Sequence, residues 1–340
     1  MEKREKFTVA DRSEKSVICV GIDDGHAEIK LALPDGRMFK IASKARAGIA
    51  GVSAFGRVEE GQVDGGYETE NQRFTVSEFV DGEGTRFDEY PFSAINRVLI
   101  HHVLRLAGLG GRPVKIATGL PVSHYFQGSS PNYSTIERKS KSIATAVVTT
   151  SGEATADIQA SYVVPEGVAA WVDYSLGSDG STANNVGRPA AIVDIGGRTT
   201  DCVVVLPGWR VDHARSGTGN IGVLDLHESL RTRLCTQFAI NDIPTRTLED
   251  AVKTGQVMMW GKTISVAEHL SEAKKEIGEQ ILREVYRRIG RAADLEKVLF
   301  VGGGATVFEH LKDSFPNADA PEHPQFANAR GMLKFMTYCM

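Results

Sequence analysis

Short apolar runs, each broken by an acidic residue and then glycine, recur along the chain. Residues 17–22 lead into Asp23-Asp24-Gly25-His26, and residues 190–195 carry Asp194 into Gly196-Gly197-Arg198-Thr199. An apolar run ending in a turn signal predicts a buried strand. A second strand-like run follows each turn, at 28–33 and 201–206, so the chain opens two strand–turn–strand units. Pro34-Asp35-Gly36-Arg37 reads as a hairpin-type turn. Helical spacing marks 92–109, through Ile95, Val98, Leu99, Val103, Leu104 and Leu106, and also 221–234 and 266–288. Residues 114–118, 162–164 and 298–301 predict short buried strands. The small residues of 168–171 open a helix. Helices are also expected over 305–315, closed near Pro316, and over 329–338. Residues 56–90, rich in Gly, Glu and Asp with little periodicity, predict an exposed small subdomain with loops, and 127–133 a loop. The polar, glycine-rich gap at 177–188 marks the main boundary. Strands alternating with helices, behind two matching openings, predict a duplicated α/β architecture.

Composition narrows the function classes. The chain has 340 residues, about two domains' worth. A net charge of −4 argues against a broad basic surface that grips DNA directly. No apolar run reaches the roughly 18 residues of a membrane span. The first 16 residues are charged and polar and read as a loose tail without a signal-peptide core. Cys19, Cys202, Cys235 and Cys339 are scattered, which points to thiols in a reducing cytosol rather than to zinc.

The two Asp-x-Gly turns carry the chemistry. Glycine lets backbone N–H groups approach an anion, and the aspartate is placed to hold a cation or its waters. Either turn alone is also an ordinary use of Asp and Gly. Two facing turns would clamp a polyphosphate and its Mg²⁺ from both sides. Gly302-Gly303-Gly304, between a strand and a helix, suits close approach to a flat ligand or a flexible turn. Glu166, after a strand and Pro165, suits a water-orienting carboxylate or a helix-start carboxylate. His26 and Arg198 lie inside the turns and either meet phosphate or face solvent. Glu137, Arg138, Lys139 and Lys141 read as a solvated helix face. Gly217-Thr-Gly219-Asn-Ile-Gly222 fits a dinucleotide fingerprint but lacks its βαβ context, so a loop reaching a nucleotide from the second half fits better. Gly261-Lys262-Thr263 resembles the end of a P-loop, but Gln256 stands where the earlier glycine is required.

First phosphate turn, connecting segment, second phosphate turn, then strand and Gly-Gly-Gly: this order resembles the actin-like ATPase superfamily, shared by actin, the seventy-kilodalton heat-shock chaperones and sugar kinases. Ile22-Asp23-Asp24-Gly25 with Ile29-Lys30-Leu31 is similar to the opening of ParM, the StbA-type plasmid segregation proteins. So are Leu120-Pro121-Val122-Ser123-His124-Tyr125-Phe126, Ile136-Glu137-Arg138-Lys139, Pro165-Glu166, the 194–201 turn and Val301-Gly302-Gly303-Gly304-Ala305. The departures are the N-terminal tail, the 56–72 stretch and Arg198.

The resemblance implies a duplicated, ribonuclease H-like fold with a nucleotide cleft between two domains. Residues 17–189 would form the first, with a small subdomain at about 35–92. Residues 190–318 would form the second, with a small subdomain at about 223–295, and 319–340 would return to the first. It further implies a cytoplasmic ATPase that polymerises and moves plasmid DNA through a separate DNA-binding adaptor. ATP and Mg²⁺ are the implied cofactors, with GTP left open. Asp23 and Asp194 would hold Mg²⁺ through water, and Glu166 would orient the attacking water with Asp194 beside it. Asp24, Gly25, His26, Lys30, Gly196, Gly197, Arg198, Thr199 and Gly219 would surround the phosphates. Gly302, Gly303 and Gly304 would face the adenosine, with Glu272 and Lys275 near the ribose and base. The alternatives are a non-polymerising ATP-binding scaffold of the pilus-assembly type and a small-molecule kinase.

Overall fold

The computed structural model describes residues 16–49, 65–77, 82, 84–183 and 187–340. Of the expected tail only Ser16 falls within these, and 56–64 lie outside them.

A five-stranded sheet and a six-stranded sheet share one five-strand path. The first runs Asp157–Pro165, Pro113–Leu120, Ile18–Asp24, Glu28–Ala32, Met38–Ala42. The second runs Ala318–Asp319, Lys297–Val301, Ala190–Ile195, Thr200–Leu206, Arg210–Val211, with Gly217–Gly219 pairing on Thr200–Leu206 as a side branch. Numbered along the chain, both orders read 5-4-1-2-3. In each, the first strand pairs antiparallel with the second and parallel with the fourth.

Parallel neighbours need crossovers, and helices supply them. Ala94–Leu106 and Tyr133–Ala144 serve the first sheet. Val223–Phe238, Thr245–Thr254 and Ala267–Ile289 serve the second. The central strands are therefore covered on both faces and read as unbroken apolar runs; every residue of Ala190–Ile195 is buried. The helix Ala94–Leu106 begins later than its periodicity suggests, because the Ser93 hydroxyl accepts from Asn96 N–H at 3.2 Å and caps it there. The last helix, Ala327–Tyr338, packs on Ile18–Asp24 and on Val168–Ser175.

Two expectations are corrected. The described part of 56–90 is not mainly loop. Gly65–Thr69 and Gln72–Val76 form a four-stranded sheet with Arg46–Ala47 and Val148–Thr149. Tyr67, Phe74 and Val76 bury one face, a half-buried alternation easily masked by the polar partners. Residues 127–133 contain a two-stranded turn, Phe126–Gln127 with Ser130–Pro131, before a helix at Tyr133. The Gly261-Lys262-Thr263 triplet sits in a hairpin between Gln256–Met259 and Lys262–Ser265, with Gly261 at φ 73°. It forms no phosphate loop. Among the described residues no helix is long and apolar enough to cross a membrane.

Candidate nucleotide cleft

The carboxyl ends of the parallel strands of both sheets open onto one cleft, the usual ligand position in open α/β sheets. It encloses about 330 Å³. Both turns line it, through Asp23, Asp24, Gly25, His26 and Lys30 on one side and Asp194, Gly196, Gly197, Arg198 and Thr199 on the other. Glu166, Gly302 and Gly303 complete the predicted residues found there. The two turns touch: a side chain at Gly197 would place its first carbon 2.5 Å from Ala27 Cβ. Gly302 is required twice over. Its φ is 83°, and a Cβ would lie 2.3 Å from Asp194 Oδ1.

Hairpin register places the charges. In the first hairpin Lys30 lies opposite Asp23, and the ammonium reaches Asp23 Oδ2 at 3.4 Å. Burial alone would lower the Lys30 pKa, but Asp23, Glu28 and Asp194 together raise it, so it is a firm cation. In the second hairpin Asp201 lies opposite Asp194. Burial, then Asp23 and Asp201, push the Asp194 carboxyl up to about 7. Burial pushes Asp201 up to about 6, although Thr218 Oγ1 donates to it at 2.5 Å. Glu166 is raised well above the carboxylate range by burial and then by Asp23, Asp201, Asp194 and Asp24. A buried carboxylate set of this kind calls for a cation. All-oxygen donors suit a hard ion such as Mg²⁺. Among the described residues no three acidic, His or Cys side chains converge tightly enough to ligate a metal directly.

Asp24 stands apart. Its carboxylate accepts from Lys139, from Asn96 Nδ2 at 2.8 Å and from Gly119 N–H at 3.4 Å. Lys139 is fully buried and also donates to Pro91 O at 2.8 Å and Asn96 Oδ1 at 3.0 Å. All three ammonium donors are thereby used. The expected solvated face holds for Glu137, Arg138 and Lys141, but Lys139 points inward and locks the first turn. His26 is likewise tied down, its Nδ1 bonded to Thr85 O at 2.6 Å, and burial lowers its pKa. Arg198 reaches across the cleft to Asp88 at 2.5 Å, and Arg86 reaches across to Asp225.

Four predicted residues lie elsewhere. Glu272 and Lys275 occupy the exposed face of Ala267–Ile289, because Leu270, Ala273 and Ile277 turn the opposite face to the core; Glu272 pairs with Arg233 at 2.5 Å. Gly219 belongs to the Gly217–Gly219 strand and packs against Glu284. Gly304 starts the helix behind the cleft and packs on Ile195. The wall expected from Glu272 and Lys275 is instead built by Leu224, His227, Glu249, Val252 and Lys253. His227 Nδ1 is buried without a partner, and burial, Arg231 and Lys253 push its pKa down to about 4. Asp201, Asn328 and Lys139 are further residues that the sequence reading missed. Asp201 had a signal: it stands seven residues after Asp194, as Lys30 stands after Asp23.

Comparison with known proteins agrees with this architecture. Residues 18–175 match the model of the N-terminal region of the plasmid segregation protein ParM. Residues 192–313 match the C-terminal region of the archaeal actin homologue MreB-like family. No curated protein matches the chain in sequence. Among solved structures, the archaeal actin homolog Ta0583 superposes with a TM-score of 0.74 at 19% identity, covering 94% of this chain and 99% of that one. A ParM from a 15-stranded filament of Clostridium botulinum gives 0.74 at 20% identity over 94% and 99%. Ta0583 in complex with ADP gives 0.73 at 19% identity over the same shares. The fold is thus the two-domain actin-like fold. In sequence, the first half of the chain is similar to the ParM N-terminal region and the second to the MreB-like C-terminal region.

Proposed function

We propose that this protein hydrolyses Mg-ATP or Mg-GTP in the cleft and assembles with nucleotide into filaments. We further propose that the filaments segregate plasmid DNA in the cytoplasm through a separate DNA-binding adaptor. The observation that carries the reading is the pair of facing glycine turns over a buried set of carboxylates, in a chain whose first half is ParM-like. The filament of the Clostridium botulinum ParM and the ADP complex of Ta0583 support assembly and nucleotide binding.

Asp23 and Asp194 would hold Mg²⁺ through its waters, and Asp201 adds negative charge behind Asp194. When bound, Mg²⁺ supplies positive charge to the phosphate oxygens. Backbone N–H groups of the two turns hold the phosphates, and Lys30 adds a fixed cation. Glu166 orients the attacking water. Burial and the neighbouring carboxylates raise its pKa, so it holds a proton more readily than an exposed carboxylate does. A γ-phosphate touched by both halves favours the closed cleft, and its loss releases that bias. Closed subunits add head to tail, a heterologous contact that does not close into a ring.

Sedimentation tests the reading. Mg-ATP or a non-hydrolysable analogue should bring protein into the pellet above a critical concentration. The pellet should decline as ATP is spent, and Glu166→Gln should prolong it. Protein that stays monomeric at about tens of micromolar with the analogue bound contradicts assembly and favours a scaffold or a kinase.

A further inference from the structure

The buried amide of Asn328 joins the two halves beside both site carboxylates. Its Oδ1 accepts Gly167 N–H at 3.0 Å, and its Nδ2 donates to Asp194 Oδ2 at 2.5 Å. The residue is 4% exposed. Gly167 follows Glu166 directly, and the Glu166 N–H is itself fixed on Leu120 O at 2.9 Å. The peptide that aims Glu166 is therefore held at one end by Leu120 and at the other by Asn328.

The amide is stationary with respect to Glu166. Asn328 opens the helix Ala327–Tyr338, which is clamped to the helix Val168–Ser175. Arg330 bonds Asp173 at 2.6 Å and Lys334 bonds it at 2.8 Å. Gly331 lies so near Ala169 that a Cβ there would sit 1.7 Å from its carbonyl oxygen. Asp194, by contrast, belongs to the second sheet. The other cross-cleft ion pairs among the described residues, Arg198 with Asp88, Arg86 with Asp225 and Lys44 with Glu249, lie nearer solvent. An amide donates at one end and accepts at the other, and asparagine has the length for both bonds here.

We propose that Asn328 is a positioning residue that couples Asp194 to Glu166. It carries the placement of Asp194, and so of whatever cation and phosphate that carboxylate holds, to the backbone that aims the water-orienting carboxylate. The inference rests on the hydrolysis reading above and adds to it a link that no phosphate contact provides.

The test uses the full chain, as wild type, Asn328→Leu and Asn328→Asp. Leucine matches the size and loses both bonds. Aspartate keeps the acceptor for Gly167 N–H. Three quantities are read: affinity for a fluorescent ATP analogue with Mg²⁺, single-turnover ATP cleavage, and hydrogen exchange at Gly167 N–H. Asn328→Leu should bind nucleotide within about threefold of wild type. It should cleave about 10- to 100-fold more slowly, the cost of a small misplacement. Its Gly167 N–H should exchange about tenfold or more faster, as for an opened protecting bond. Asn328→Asp should retain Gly167 protection, and it stands in should the leucine variant fail to fold, since its cleavage must also fall once the Asp194 link is lost. Wild-type cleavage in either variant overturns the proposal. So does a loss confined to affinity, which marks a binding contribution only. A wild type that binds Mg-nucleotide without cleaving it counts against the hydrolysis reading instead. Exchange then still decides the link: nucleotide should slow Gly167 exchange in wild type and not in Asn328→Leu, and equal slowing in both overturns it.

Discussion

The two hairpins that face each other across the cleft share strand order, register and turn, yet they carry opposite charge at one matched position. Opposite Asp23 stands Lys30, and opposite Asp194 stands Asp201. The first turn is thus neutralised within its own half. It is also immobilised there, with Asp24 on Lys139 and Asn96 and His26 on Thr85. The second turn is doubly acidic and is steadied from the other half, Asp194 by Asn328 and Arg198 by Asp88. A duplicated fold has become one fixed jaw and one jaw whose electrostatics await a cation. Identical local motifs do not imply identical roles, because cross-strand neighbours set the charge of each site.

The largest expected effect breaks the fixed jaw. Lys139→Met leaves Asp24 buried without its counter-ion, and removing one partner of such a pair costs about 3–5 kcal/mol. Chemical denaturation should show that loss, and adding Asp24→Asn should recover much of it. A single variant within about 1 kcal/mol of wild type would show that Lys139 does not lock the turn.

Next comes the acidic jaw. Asp194→Ala should lower Mg-dependent hydrolysis about 100-fold or more, the scale of losing one pre-set transition-state contact. Turnover near that of the wild type would remove Asp194 from the site and dissolve the contrast between the jaws.

A smaller effect sharpens the comparison through pH. Asp194 and Asp201, at about 7 and about 6, hold protons more tightly folded than unfolded. Between their ordinary values and these, the folded state binds more protons, so stability of the nucleotide-free protein should fall as pH rises from about 4 to about 7. Asp201→Asn removes one charge and relieves Asp194, so it should flatten that fall. At pH 7.5 it should raise Tm by about 1–3 °C, since an unfolding entropy of roughly 0.7 kcal/mol/K for 340 residues makes 1 kcal/mol worth about 1.4 °C. A melting profile as steep as that of the wild type would mean that the two carboxylates do not repel each other.

Much of this was legible in the residues, for physical reasons. Strands such as Ala190–Ile195 are buried on both faces, so their apolar runs announce them. The turns were visible because glycine at Gly25, Gly196 and Gly302 marks backbone that must come close to something. What stayed hidden depends on contacts distant in sequence. Lys139 sits in a charged run and turns inward only because Asp24, 115 residues away, awaits it. Asn328 is an unremarked amide until the chain returns it to Asp194, 134 residues earlier. The helix Thr245–Thr254 carries three cleft residues, Glu249, Val252 and Lys253, but has few apolar positions and a proline at its start. Glu272 and Lys275 were misplaced because a 23-residue helix has more than one polar stripe and only packing tells which stripe meets the cleft. The strands at Gly65–Thr69 and Gln72–Val76 escaped because glycine and polar residues stand between their buried ones.

The central claim is that both turns hold one Mg-nucleotide together. A crystal structure with Mg²⁺ and a non-hydrolysable ATP analogue tests it most directly. The account predicts the polyphosphate between Gly25–His26 and Gly196–Thr199, the cation nearer Asp194 than Asp24, and the Asp24–Lys139 pair unchanged. A nucleotide held by one turn alone, or a cation seated on Asp24 with Lys139 displaced, would contradict it.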